Sequence, residues 1–370
     1  MAAPTLARLA RASVAALAFA TALSLAAACG DGGDEPPAGV TPTATTALAP
    51  TGQVTRGPSP TPRPAATGPE IDEFNLPTPD GVPHSIAVDA QGRIWFTELE
   101  GNKLGMFDPA NERFREWEVP TANAQPHGIG VDFEGNIWIT YVGLSKIAAF
   151  DVRNEEFHEF AIPSPNTGPH SIAFDARGDL WFTESRGDAI ARFERASGKV
   201  EEVPVPTSDS VPYGIAIDPQ GVVWWAELQG NKIGWYDPAS REIKELAPPT
   251  RNQGARRIAV DGDGGVWFTE YAANKLGYFD PKAQRFEEYA LPTPNAAPYA
   301  ITIAQDGAIW LSEFSANKLA RFDPGSKTFE EFDIPTASAG CRTIVEDAQG
   351  AIWCPESGAG KLLRIQFVAG

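Results

Sequence analysis

Three of the four histidines in this chain share one register. His84, His127 and His170 each stand eleven residues ahead of a tryptophan, and the same position further on reads Tyr213, Arg256, Tyr299 and Arg342. A histidine oriented by a carboxylate makes a general base. An arc of arginine and tyrosine offers donors and aromatic faces to an anionic or carbonyl-rich ligand. Even alternation across a hairpin places His84 opposite Glu98, His170 opposite Glu184, Tyr213 opposite Glu227, Arg256 opposite Glu270, Tyr299 opposite Glu313 and Arg342 opposite Glu356. His127 faces Tyr141 instead. Six repeated glutamates read more naturally as a structural device than as six catalytic groups, and each ring member could equally be satisfied by local hydrogen bonds. Arg257 is the one charged residue in a register otherwise occupied by Ser85, Gly128, Ser171, Gly214, Ala300 and Thr343. Simple alternation points that register to the other strand face.

The elements that carry these residues follow from a repeat. Trp95, Trp138, Trp181, Trp224, Trp267, Trp310 and Trp353 are spaced 43 residues apart without insertion or deletion. A period of about 40–45 residues with four strand signals describes a propeller blade. In the first unit the strands are expected over Ser85–Asp89, Arg93–Glu98, Lys103–Phe107 and Arg113–Val119. Gly92 and its counterparts stand where a three-residue hairpin requires a left-handed residue. The fold expected is all-β: a seven-bladed β-propeller of four-stranded blades over residues 70–370. The chain ends on what matches a third strand, and Glu70–Leu76 aligns with Arg113–Val119. The N-terminal strand should therefore complete the last blade and remove two sheet edges. The histidine register opens the innermost strand, so its seven side chains should ring one mouth of the channel.

Ahead of the repeat, Arg8 and Arg11 precede an alanine- and leucine-rich run ending at Cys29. Residues 1–29 resemble a bacterial lipoprotein signal peptide with Cys29 as the lipidated residue. Residues 30–69 are rich in proline, threonine and glycine with almost no large apolar side chains, which makes a linker rather than a core. The expectation is an exported lipoprotein on the extracytoplasmic membrane face, monomeric, with a small-molecule or peptide ligand at the channel mouth. A net charge of −18 argues against nucleic acid, which needs a basic surplus. Cys341 and Cys354 would be oxidised outside the cytoplasm if geometry allowed. Even register sets Cys354 opposite Ile344 and gives Cys341 the other parity, which argues against a bridge. No Walker loop, nucleophile elbow, HExxH or paired CxxC is present.

The recurring Pro-Thr-Pro, Pro-His-x-Ile-Ala-x-Asp, Trp-Phe-Thr-Glu and Asn-Lys-Leu/Ile segments are fullest at Leu76–Gly105, Ile162–Ile190 and Leu291–Leu319. Together they resemble the streptogramin B (virginiamycin B) lyases over the whole of residues 70–370. The resemblance implies a seven-bladed propeller with a magnesium-dependent cleft at the channel mouth. Its implied activity is a C–O lyase that opens a cyclic depsipeptide by elimination at an ester. The positions matching the family's histidines, acidic residue and carboxylate are Tyr299, Arg342, Gly340 and Glu356, of which the glutamate keeps the family's residue type. A rotated version of the site would use His127 and His170 for proton transfer and Glu184 near the metal, with Gly168 at the acidic position. His84, Tyr213, Arg256, Arg257, Tyr299 and Arg342 would then form the ligand rim. The alternative is a non-catalytic surface scaffold that binds a ligand or protein on the same rim.

Overall fold

The computed structural model describes residues 66–369. The segment 1–29 with Cys29, and most of the 30–69 linker, lie outside the described residues. Seven four-stranded antiparallel sheets follow one another along the chain. In the first they are Pro83–Val88, Ile94–Glu98, Lys103–Asp108 and Arg113–Glu118. The last sheet joins Val345–Glu346, Ile352–Glu356 and Lys361–Ala369 to the N-terminal strand Ala66–Asn75, with Ile71 opposite Ile365 and Asn75 opposite Lys361. This is the expected ring closure, with the strand beginning at Ala66 rather than Glu70.

Burial explains the strand patterns. The second strand of each blade is buried at every position because it lies between neighbouring blades. The outermost strand of the first blade alternates between exposed and partly buried residues instead. Trp95 is 1% exposed, and its indole N–H donates to Asp89 at 2.8 Å. The bond recurs at Trp138, Trp181, Trp224, Trp267 and Trp353; in the sixth blade Ala304 takes the aspartate's place. Burying one such indole contributes about 4–6 kcal/mol before conformational costs. Gly92 adopts φ 77° and donates to the Asp89 carbonyl at 2.9 Å, closing the first hairpin.

The inner strand departs from even alternation at the position that matters most. Val88 pairs with Ile94 and Ile86 with Phe96 as expected, but Pro83, not His84, lies opposite Glu98. One extra residue is accommodated in a bulge, repeated where Pro126, Pro169, Pro212, Ala255 and Pro298 face Tyr141, Glu184, Glu227, Glu270 and Glu313. Proline supplies no N–H to the ladder. The Ser85 N–H leaves it as well, donating to Thr97 Oγ1 at 3.1 Å, while that hydroxyl donates to the His127 carbonyl of the next blade at 2.8 Å. The expected pairs of rim residue and glutamate, His84 with Glu98 through Arg342 with Glu356, are therefore not formed. The register of Arg257 turns into the channel rather than away from it.

In the seventh blade Cys341 bridges to Glu356 while Val345 pairs with Trp353. That offset reverses the parity assumed for Cys341. It brings the Cα atoms of Cys341 and Cys354 to 5.8 Å, and the two form a disulfide, contrary to the even-register expectation.

Candidate functional site

The histidine register meets at one channel mouth and fills it. The rings of His84 and His127 are 3.9 Å apart, His127 and His170 3.8 Å, and His170 and Tyr213 3.8 Å. All four are buried, as is Tyr299 at 1% exposure. The hydroxyls of Tyr213 and Tyr299 share a hydrogen bond of 2.5 Å. The Arg256 guanidinium lies 3.8 Å from the Tyr299 ring centre and 4.6 Å from that of Tyr271, and donates to Tyr213 Oη at 3.0 Å. Arg342 stacks over Phe314 at 5.0 Å. Arg256 and Arg342 remain partly exposed, so they are the accessible charge of the mouth, and Arg257 belongs to the register one residue deeper in the channel.

Electrostatics separates the two arcs. Burial, reinforced by the neighbouring histidines and arginines, holds the imidazoles of His84, His127 and His170 well below their ordinary range, so they are neutral near pH 7. The Nδ1 of His127 has no partner. Burial alone would raise Tyr299, but the positive charges of Arg256 and Arg257 outweigh it and bring the phenol down to about 8. Tyr213 moves the other way, chiefly through burial and the charge of Tyr299. Among the described residues none of the three arginines forms an ion pair with a carboxylate, and the Nε–H groups of all three are unpartnered.

The glutamates lie behind this ring. Glu98, Glu184, Glu227, Glu270, Glu313 and Glu356 are at most 1% exposed. Burial first, with a second carboxylate close by at Glu116, Glu202, Glu245, Glu288, Glu331 or Glu73, raises each of them to about 8. A neutral carboxyl can donate its proton to the second carboxylate, which in the first blade also accepts from Lys103 at 2.8 Å and Thr78 at 2.7 Å. Tyr141 replaces the glutamate in the second blade, and burial, followed by the nearby charge of Glu159, raises its phenol above the ordinary range. Lys103 thus pairs with the outer glutamate, Glu116, and the same pair recurs at Lys146–Glu159, Lys232–Glu245, Lys275–Glu288, Lys318–Glu331 and Lys361–Glu73.

Magnesium was implied by resemblance, and the donor set does not fit it. Glu184 and Glu356 are buried behind the ring in separate blades, Arg256 and Arg342 supply positive charge at the mouth, and no group of three or more His, Cys, Asp or Glu among the described residues could hold a metal ion. Sequence reasoning missed the bulge and the inter-blade threonine. The threonine of Trp-Phe-Thr-Glu was the available signal, since Thr97, Thr140, Thr183 and Thr269 all donate to the next rim carbonyl.

Residues 62–149 and 129–369 match the model of the virginiamycin B lyase family. The chain belongs to that family. It superposes on virginiamycin B lyase from Staphylococcus aureus with a TM-score of 0.77 at 29% identity, covering 81% of this chain and all of that one. A second solved structure, a streptogramin B lyase, gives 0.77 at 32% identity over 81% of this chain and 98% of that one. A virginiamycin B lyase of Bacillus licheniformis is 43% identical over 42 residues, 11% of this chain and 14% of that protein's length.

Proposed function

We propose that this propeller is an exported, lipid-anchored binding protein that captures an anionic or carbonyl-rich small molecule or peptide at the mouth formed by Arg256, Arg342, Tyr271 and Phe314. The observation that carries this reading is a cluster of guanidiniums with free N–H groups and no carboxylate partner, in a chain of net charge −18. Unpaired buried donors are costly unless a ligand completes them. Arg256 and Arg342 lie against aromatic rings, a setting suited to a planar carboxylate or carbonyl group. Anchoring through Cys29 would keep the protein on the extracytoplasmic face, and its acidity would disfavour nucleic acid.

The second reading is the family's C–O lyase reaction, favoured by the full-length likeness to solved lyases. Here neutral His127 or His170 would take the proton removed during elimination.

Both readings are tested by titrating the purified full chain with a streptogramin B-type cyclic depsipeptide and with benzoate, and by weighing the depsipeptide afterwards. Binding that disappears in an Arg256→Gln/Arg342→Gln double variant, with the depsipeptide intact, supports capture. A ring-opened product of unchanged mass establishes elimination, and a gain of one water establishes hydrolysis. No binding of either probe refutes the mouth as a ligand site.

A further inference from the structure

Below the aromatic plug the channel continues as a cavity of about 140 Å³, lined in every blade by the residues one and two places after the rim. Its polar wall is Arg257 with Ser85, Ser171 and Thr343; its apolar wall is an isoleucine from each blade, from Ile86 to Ile344. Arg257 reaches across to donate from Nη1 to Ser171 Oγ at 2.6 Å. The strand of Arg257 packs so tightly against the neighbouring blade that a Cβ at Gly214 would come within 2.8 Å of the Arg257 Cα. This is a fixed guanidinium, and its Nε and Nη2 are both buried without a partner. Those two nitrogens form one edge of the guanidinium, the edge that grips a carboxylate with two parallel hydrogen bonds.

A second cavity, of about 440 Å³, opens at the opposite end of the channel. It shares Ile86 and Ile129 with the first and is walled by Val88, Val131, Ile303 and Val345. Thr302, Gln305 and Glu346 are its polar residues, and the Gln305 backbone N–H donates to Glu346 at 2.6 Å. From the Arg257 level to the Val260 level the strand advances roughly 10 Å. From the open end, where Thr302, Gln305 and Glu346 stand, to the level of Arg257, the channel thus carries an isoleucine from every blade and, further out, Val88, Val131, Ile303 and Val345.

We infer that the channel is a binding site for a carboxylate on an unbranched apolar chain, which enters from the end opposite the rim, seats its head on the Nε/Nη2 edge of Arg257 and lays its tail along the isoleucine and valine rings. A free phosphate would match the fork but leave the apolar walls unused. A neutral chain would leave the arginine unpaired. This site is separate from the rim proposed above, which uses Arg256 and Arg342.

Titration calorimetry of the full chain with butyrate, hexanoate and octanoate tests the inference, with octanol and inorganic phosphate as controls. Affinity should rise by about fourfold per added methylene while the tail remains inside the channel. Arg257→Gln should weaken octanoate by on the order of ten- to a hundredfold, through the loss of charged hydrogen bonds. Arg257→Lys, which keeps the charge without the fork, should weaken it as well. The Arg256→Gln/Arg342→Gln variant should bind octanoate as the wild type does, so failure of the rim reading leaves this result readable. Affinity that ignores chain length, octanol binding as tightly as octanoate, or phosphate matching octanoate would each overturn the inference. Should Arg257→Gln not fold, the chain-length series on the wild-type protein decides alone.

Discussion

Replacing Glu184 by glutamine should make the propeller more resistant to alkali without changing it in mild acid. Glu184 is 1% exposed, its Oε1 has no partner, and burial followed by the charge of Glu202 raises its carboxyl from 4.5 to about 8. Between those two values the folded chain holds a proton that the unfolded chain has released. Stability from this group is therefore fully present below pH 4.5 and is lost progressively as pH rises from there through 8. Each pH unit spent in that interval is worth about 1.4 kcal/mol, so the wild type should lose up to roughly 2.7 kcal/mol from Glu184 between pH 6 and pH 8. The glutamine cannot titrate and retains an N–H donor for Glu202, so the variant escapes that loss. Urea unfolding of both proteins at pH 6 and pH 8 gives the comparison, because the other five glutamates titrate alike in each. At about 2 °C per kcal/mol for a domain of this size, the thermal midpoints should separate by some 5 °C more at pH 8 than at pH 6. A difference independent of pH would show that Glu184 is not a buried acid. A variant that loses ground at pH 8 would show that the ionised carboxylate does structural or ligand-binding service.

Tyrosinate absorbance of the wild type should show a step near pH 8 that disappears in Tyr299→Phe; a first step only in the ordinary tyrosine range would contradict the arginine field at the mouth. The Cys341→Ser/Cys354→Ser variant should be less stable by about 3 kcal/mol, the chain-entropy value for a short loop. Two free thiols beyond any from Cys29 in the unreduced protein would instead deny the bridge. Deleting Ala66–Asn75 exposes the Lys361–Ala369 strand and removes the Lys361–Glu73 ion pair of 2.8 Å. Unfolding by circular dichroism should then lose its single sharp transition, and an unchanged melt would refute closure by that strand.

The architecture was legible in the repeat. An uninterrupted tryptophan repeat leaves one solution for burying seven similar apolar strands, and the final unit finds its outermost strand in Glu70–Leu76. It also placed His84, His127, His170, Tyr213, Arg256, Tyr299 and Arg342 together, since equal spacing in a ring means equal height. What it could not decide was which way each neighbour points. A strand has a period of two only while its ladder is regular, and a single bulged residue, at Pro83–Ile86 in the first blade and at Ala255–Ile258 and the other counterparts, changes the partner of each inner glutamate and the direction of Arg257. That bulge is stabilised by Thr97 reaching into the next blade, a contact between residues thirty apart. The same slip brought Cys341 within reach of Cys354. Charge state likewise belonged to the tertiary structure: Glu98 and Glu184 are ordinary acids until burial beside a second carboxylate makes the neutral form the stable one.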